Sequence, residues 1–184
     1  MKTEFEVRLL ECDYNDIVSK LKNLGATFVG DHLQMRYCYD FNPVRENSWI
    51  RLRTNGVTTT LTIKEIKDKS VSGTKESEIT VSSFEETDEI LNKLGYFARS
   101  IQENRRVQYI LDGVEVDIDF WPEIPPYLEI EGESEDKIKA VVERLGLDYS
   151  KFVTLDVSSV YDYYGKPLGN SNLVLEEEKK NIRL

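Results

Sequence analysis

The chain has 184 residues, 34 of them Asp or Glu against 24 Lys or Arg, for a formal net charge of -10. That length suits one domain with a real core, spanning 1–184 with no Pro/Gly/Ser-rich linker to divide it. The negative balance argues against a nucleic-acid duplex or an anionic membrane as partner, and no apolar run is long enough to cross a bilayer or serve as a signal segment, so the expected compartment is the cytoplasm.

In chain order, Glu4 to Leu9 alternates strictly. Glu4, Glu6 and Arg8 share one face and Phe5, Val7 and Leu9 the other, the signature of a half-buried strand. Asn15 to Leu24 has helical period and closes on a Leu-Gly that suits a left-handed exit. Ile50 to Arg53 is a strand with Arg51 and Arg53 on one face. Thr58 to Lys64 and Glu76 to Ile79 are strands with Lys64, Glu76 and Glu78 on their polar faces. A second helix, Phe84 to Leu94, opens at Ser83 with Glu86 three positions on, a capping box. Val114 to Asp119 sets Glu115, Asp117 and Asp119 against Val114, Val116 and Ile118, and Tyr127 to Glu131 sets Glu129 and Glu131 against Leu128 and Ile130. The turn between them carries Pro122, Pro125 and Pro126. A third helix runs from Glu135 to Leu145 and a short one near Ser158 to Tyr164. Leu173 to Lys180 reads as a solvated helix or frayed tail without chemistry, and the Glu176 to Lys180 run as a solvated face. Many strands with few helices between them point to an antiparallel α+β fold.

Charged faces on single strands ordinarily look at water. Here the charges sort by strand: Glu4/Glu6, Asp117/Asp119 and Glu129/Glu131 are acid pairs, and Arg51/Arg53 is a basic pair. Residues two apart on one face stand ~7 Å from each other, so each pair repels itself unless a counter-charge arrives. A metal ion relieves the acid pairs and phosphate the arginine pair. With His32 the only histidine and Cys12 and Cys38 the only cysteines, a zinc or disulfide framework is excluded, whereas carboxylates suit Mg²⁺ or Mn²⁺. His32 reads as a surface or turn residue, Cys12 and Cys38 as reduced, half-buried side chains, and Trp49 and Trp121 as packing residues. No phosphate-binding glycine loop is present.

Glu4-Phe5-Glu6-Val7-Arg8 resembles the E-x-E-x-K signature of the CYTH superfamily, the triphosphate tunnel metalloenzymes. Tyr37-Cys38-Tyr39-Asp40, Ile50-Arg51-Leu52-Arg53, Leu61-Thr62-Ile63-Lys64, Glu76-Ser77-Glu78, Asn104-Arg105-Arg106, Asp119 and Tyr127-Leu128-Glu129-Ile130-Glu131 follow in the family's order. The resemblance covers about residues 1–164, leaving 171–184 as a C-terminal helix or tail. It implies an eight-stranded antiparallel β-barrel with flanking helices, open as a tunnel. It also implies Glu4, Glu6, Glu129 and Glu131 as metal ligands, Arg8, Arg51, Arg53, Lys64 and Arg106 as phosphate ligands, and Glu4, Glu6 and Asp119 on the catalytic acidic side. Glu76, Glu78 and Asp117 are supporting acids.

Two positions depart from the pattern. The lysine of the first motif is Arg8, and the family's K-x-R is Asn104-Arg105-Arg106, which lacks its lysine and leaves Arg105 an alternative to Arg106. Three functions fit: a metal-dependent hydrolase of inorganic or organic triphosphates, a class IV adenylyl cyclase making cyclic AMP and pyrophosphate from ATP, or a non-catalytic polyphosphate- or nucleotide-binding module. The partner in each is a triphosphate-containing small molecule. Oligomeric state is left open, with a homodimer among the alternatives.

Overall fold

In the computed structural model, which describes residues 1–168 and 172–180, eight antiparallel strands close into a barrel. They are β1 (Lys2–Leu9), β2 (Thr27–Tyr39), β3 (Ser48–Thr54), β4 (Thr59–Ile66), β5 (Thr74–Val81), β6 (Ala98–Leu111), β7 (Val114–Phe120) and β8 (Tyr127–Gly132). Their order around the barrel is β1-β5-β4-β3-β2-β6-β7-β8. This is the α+β barrel with flanking helices that the resemblance implied. Two hairpin series, β2 to β5 and β6 to β8, are joined by the long β2–β6 ladder and sealed by β1, which pairs with both β5 and β8.

The flanking helices are α1 (Tyr14–Asn23), α2 (Phe84–Lys93), α3 (Glu135–Arg144), α4 (Val157–Tyr163) and α5 (Glu177–Lys180). Side chains of Asp13, Ser83, Ser134 and Asp156 accept from the backbone N–H three residues on, which satisfies donors the first turn would orphan. The three Leu-Gly exits behave as expected. Leu24, Leu94 and Leu145 are the C-caps, and Gly25, Gly95 and Gly146 follow in the left-handed region at φ 74°, 90° and 65°.

Because the strands put polar residues inward, the apolar cores lie outside the barrel. α1 and α3 lay Ile17, Leu21, Ile138 and Val142 on the outer faces of β1 and β6 to β8, where Val107, Ile118, Leu128 and Ile130 are fully buried. Each such side chain contributes about 1.5–3 kcal/mol. α2 covers β2 and β3 through Phe84 and Leu91 against Tyr39, Ile50 and Leu52. This outer support fixes which side chains face the lumen.

The two longest strands, β2 and β6, are ones that alternation left unassigned. β2 carries register irregularities between Phe28 and Gly30 and between Cys38 and Tyr39, which break the period of two. β6 has adjacent Arg105 and Arg106, so both its faces read as charged. His32 sits half-buried within β2 rather than in a turn. Both cysteines are free and buried rather than half-buried.

The segment expected to be a solvated tail is docked instead. Leu173 forms a parallel bridge to Gln102, Leu173 and Leu175 are buried, and Lys179 Nζ donates to the carbonyls of Trp121 and Ile124. β6 extends past the end of β7, and this segment occupies the edge that β7 leaves open. Residue 171 and residues 181–184 of that tail lie outside the described residues. No helix among the described residues is long and apolar enough to cross a membrane.

Candidate functional site

The inward faces enclose a cavity of about 860 Å³ lined mainly by polar and charged side chains. Glu4, Glu6 and Arg8 enter from β1, Arg36 from β2, Arg51 and Arg53 from β3, Lys64 from β4, Glu76 and Glu78 from β5, Arg106 from β6, and Glu129 and Glu131 from β8. Alternation places them there, and outside β5 each has an apolar neighbour on the outer face.

On the wall formed by β1, β6, β7 and β8, acids surround two arginines. Arg106 donates to Asp117 at 2.6 Å, to Asp119 at 2.6 and 2.8 Å, and to Glu129 at 2.9 Å. Arg8 contacts Glu129 at 2.6 Å and Glu6 at 2.9 Å, and donates to the Leu155 carbonyl. Burial would raise Glu129, yet Arg8 and Arg106 outweigh it and hold its carboxyl well below the usual range. Asp117, whose burial outweighs its Arg106 contact, is pushed up to about 7. Glu131 has no ion pair among the described residues. Burial, then the charges of Glu4, Glu129 and Glu6, push it up to about 8. Glu6, Glu129 and Glu131 each bring a carboxylate oxygen within 4.8 Å of the other two.

Glu4 shares the inward face of β1 with Glu6, leans toward the adjoining β5 and β4, and its charge still bears on Glu131. Lys64 Nζ lies 2.9 Å from both its oxygens and 3.5 Å from Glu76. Burial still raises Glu4 despite the lysine.

The wall formed by β2 and β3 is the reverse. Arg51 reaches Glu78 at 3.3 Å and Arg53 reaches the same oxygen at 3.8 Å, so one carboxylate serves two guanidiniums. Arg53 is pushed down to about 9, first by Arg51, then by burial and Arg36. Burial works against Glu78, but the Thr62 hydroxyl at 2.6 Å and the two arginines keep it below its ordinary value.

Arg36 is the residue that sequence reasoning missed. It is 6% exposed, its Cζ lies 4.6 Å from the Trp121 ring centroid, and its Nη2 donates to Asn104 Oδ1 at 2.5 Å and Gln34 Oε1 at 3.0 Å. Extending the Tyr37 to Asp40 segment backward at period two, through Cys38, would have reached it.

Arg105 and Arg106 separate cleanly. Arg105 points outward, where its Nε and Nη2 grip Asp31 at 2.7 and 2.6 Å, so it cannot reach a ligand in the lumen. Arg106 faces inward. Asp117 and Asp119 are enclosed behind it, at 2% and 0% exposure, and both are salt-bridged to its guanidinium. Trp49 and Trp121 both line the cavity, Trp121 being the buried one of the two and packed in the apolar cluster with Tyr127 and Tyr161.

The family model described as the CYTH domain matches residues 2–164. The chain belongs to the CYTH family. No protein with a curated description matches it. Solved structures do. The PH1012 protein of Pyrococcus horikoshii is 26% identical, with 83% of this chain and 96% of that one covered and a TM-score of 0.71. An adenylate cyclase candidate from Vibrio parahaemolyticus shares 10% identity over 88% and 98%, with a TM-score of 0.72. An adenylyl cyclase candidate from Hippeastrum, described as having a dominant triphosphatase activity, shares 16% over 92% and 99%, at 0.60. The latter two likenesses are of fold alone. The CYTH match stops at residue 164, so the docked C-terminal segment of this chain lies beyond it.

Proposed function

We propose that this CYTH protein hydrolyses a triphosphate, inorganic or organic, held in the barrel with Mg²⁺ or Mn²⁺. The observation that carries the reading is the opposed imbalance of one cavity: guanidiniums short of carboxylates on one wall, carboxylates short of cations on the other. A polyanion chelating a divalent ion is a ligand that relieves both.

The donor set fits such an ion. Glu6, Glu129 and Glu131 offer hard oxygens only, and a Glu131 pushed up to about 8 marks negative charge that the protein leaves unbalanced. When bound there, the ion supplies Lewis acidity toward phosphoryl oxygens and makes nearby water more acidic. The chain's own residues do the positioning. Arg51, Arg53 and Lys64 hold phosphate oxygens through charge-assisted bonds, Arg8 and Arg106 fix Glu129 from two sides, and Asp117 and Asp119 keep Arg106 in one orientation. Phosphoryl transfer needs little beyond this, because positioning and electrostatics supply most of its catalysis. Water adds to the terminal phosphorus, the bridging P–O bond breaks with its electron pair leaving on the diphosphate portion, and orthophosphate is formed as water's proton passes to solvent.

Hydrolysis is favoured over cyclisation because every group assigned serves phosphate or cation and none reads a base or ribose. The test is a panel of inorganic triphosphate, thiamine triphosphate, ATP and GTP with Mg²⁺ or Mn²⁺, scored for orthophosphate, pyrophosphate and cyclic AMP. Orthophosphate from at least one substrate is expected. Cyclic AMP with pyrophosphate as the main products of ATP overturns the reading in favour of a cyclase, and binding without turnover in favour of a binding module.

A further inference from the structure

Among the described residues four arginines are buried: Arg8, Arg36, Arg51 and Arg105. Three have a carboxylate within salt-bridge distance: Arg8 has Glu6 and Glu129, Arg51 has Glu78, and Arg105 has Asp31, while the half-buried Arg106 has Asp117, Asp119 and Glu129. Arg36 has none among the described residues. Its acceptors are two neutral amides, both taken by Nη2, and its Nε is enclosed with no acceptor at all.

A guanidinium buried without counter-charge is costly, and removing one from water without an anion is what proteins ordinarily avoid. Arg105 shows how this chain treats a purely structural buried arginine: a two-pronged grip on Asp31 beside the Phe120 ring. Arg36 has the aromatic ring but not the carboxylate. It also lines the cavity, and it is directly paired across strands with Arg53. Burial, Arg51 and Arg106 push it down to about 10 and outweigh the opposing pull of Asp119, which reaches it only through Asn104.

We propose that Arg36 is a phosphate-binding residue of this site, the third guanidinium of a cluster with Arg51 and Arg53, held ready for the substrate by Gln34, Asn104 and the Trp121 ring. The assignment rests on the triphosphate reading above and names a contact that reading does not include. Asn104 thereby has a role. The neutral residue standing where the resemblance expects a lysine has its amide oxygen on Arg36 and donates its Nδ2 to Asp119 at 3.1 Å, so cation and acid are bridged by one amide. The positive charge absent from β6 is supplied from β2. The planar fork is suited to phosphate oxygens, and stacking on Trp121 orders it before the ligand arrives, which lowers the entropy lost on binding.

The test is calorimetric titration of sodium tripolyphosphate into the full chain, with and without Mg²⁺, for the wild type, Arg36→Met, Arg36→Gln and Arg51→Ala, alongside melting of each ligand-free protein. Tripolyphosphate should bind Arg36→Met and Arg36→Gln at least tenfold more weakly than the wild type. Their ligand-free melting temperatures should be equal to or above the wild-type value, because an uncompensated charge has gone. If the Met variant does not fold, the Gln variant, which keeps a polar head between Gln34 and Asn104, is judged by the same criterion. Unchanged affinity while Arg51→Ala binds more weakly overturns the assignment and leaves the triphosphate reading standing. Failure of both Arg36 variants to fold, or lower melting with unchanged affinity, makes Arg36 structural and overturns it too. A wild type that takes up no tripolyphosphate under either condition overturns both.

Discussion

The two walls of the barrel carry the same kinds of side chain and treat them in opposite ways. On the β6-β7-β8 side, Arg106 is locked by contacts to three carboxylates, and Arg8 by two from its own strand and β8. On the β2-β3 side, Arg36, Arg51 and Arg53 lie close together, and among the described residues Glu78 is the one carboxylate within salt-bridge distance of any of them. The first wall is already neutralised at its centre, and its surplus is the carboxyl of Glu131, which no cation answers among the described residues and which burial and the acids around it keep protonated up to about pH 8. The second is short of anions throughout. A protein selected only for stability would have distributed these charges evenly, so the difference marks where binding partners are expected.

The sharpest way to break this comparison is at the acid cluster. Glu6→Gln and Glu131→Gln should each cut metal-dependent turnover at least about a hundredfold, since even groups behind a metal ligand are worth 10–100-fold, while circular dichroism shows an intact fold. Turnover within a factor of two of the wild type would remove the cation from this wall. Next in size, Arg51→Ala and Arg53→Ala should weaken tripolyphosphate binding about 10–100-fold, the worth of a charge-assisted hydrogen bond. A direct binding titration reads this without reference to turnover.

A smaller effect is expected in stability against pH. Glu131 is pushed up to about 8, so between its unfolded value near 4.5 and pH 8 the folded chain holds a proton that the unfolded chain has lost. Stability from this group is therefore full below pH 4.5 and lost as pH rises through 8, and Asp117, at about 7, acts in the same direction. Denaturant melts in EDTA should decline by a few kcal/mol across this window. Mg²⁺ should offset part of the loss at pH 8, and Glu131→Gln should flatten the profile. The smallest effect separates adjacent arginines. Arg105→Ala should cost about 2 kcal/mol of stability by stranding Asp31 and leave tripolyphosphate affinity unchanged.

The sequence was most legible where one face of a strand is apolar and the other ionic. β1, β3, β7 and β8 could be assigned, and their inward residues named, because helices cover their outer faces and enforce the alternation. β2 and β6 were illegible for physical reasons. A bulge near Phe28 shifts the period, and Arg105 is charged on the outer face because Asp31 of β2 waits there. Neighbouring arginines with opposite directions cannot be separated without register, which left two alternatives open. Arg36 was hidden because its partners carry no charge: Gln34 two residues earlier on the same face of β2, Asn104 on β6 and Trp121 just past β7. Glu4 was read with Glu6 as one acid pair. The pairing partners within that face were not legible: Lys64 stands beside Glu4 and Arg8 beside Glu6, while both acids act on Glu131. The tail read as solvated because its run of Glu and Lys is polar, yet Leu173 and Leu175 bury and Lys179 caps carbonyls of the Trp121 loop.

The opposed walls can be tested together in one crystal grown with tripolyphosphate and Mn²⁺, using the anomalous signal of the metal to locate it independently of the phosphates. The account predicts a manganese peak among the carboxylates of Glu6, Glu129 and Glu131, with phosphate oxygens within hydrogen-bond distance of Arg36, Arg51 and Arg53. Manganese on other residues, or tripolyphosphate bound outside the barrel, would contradict it.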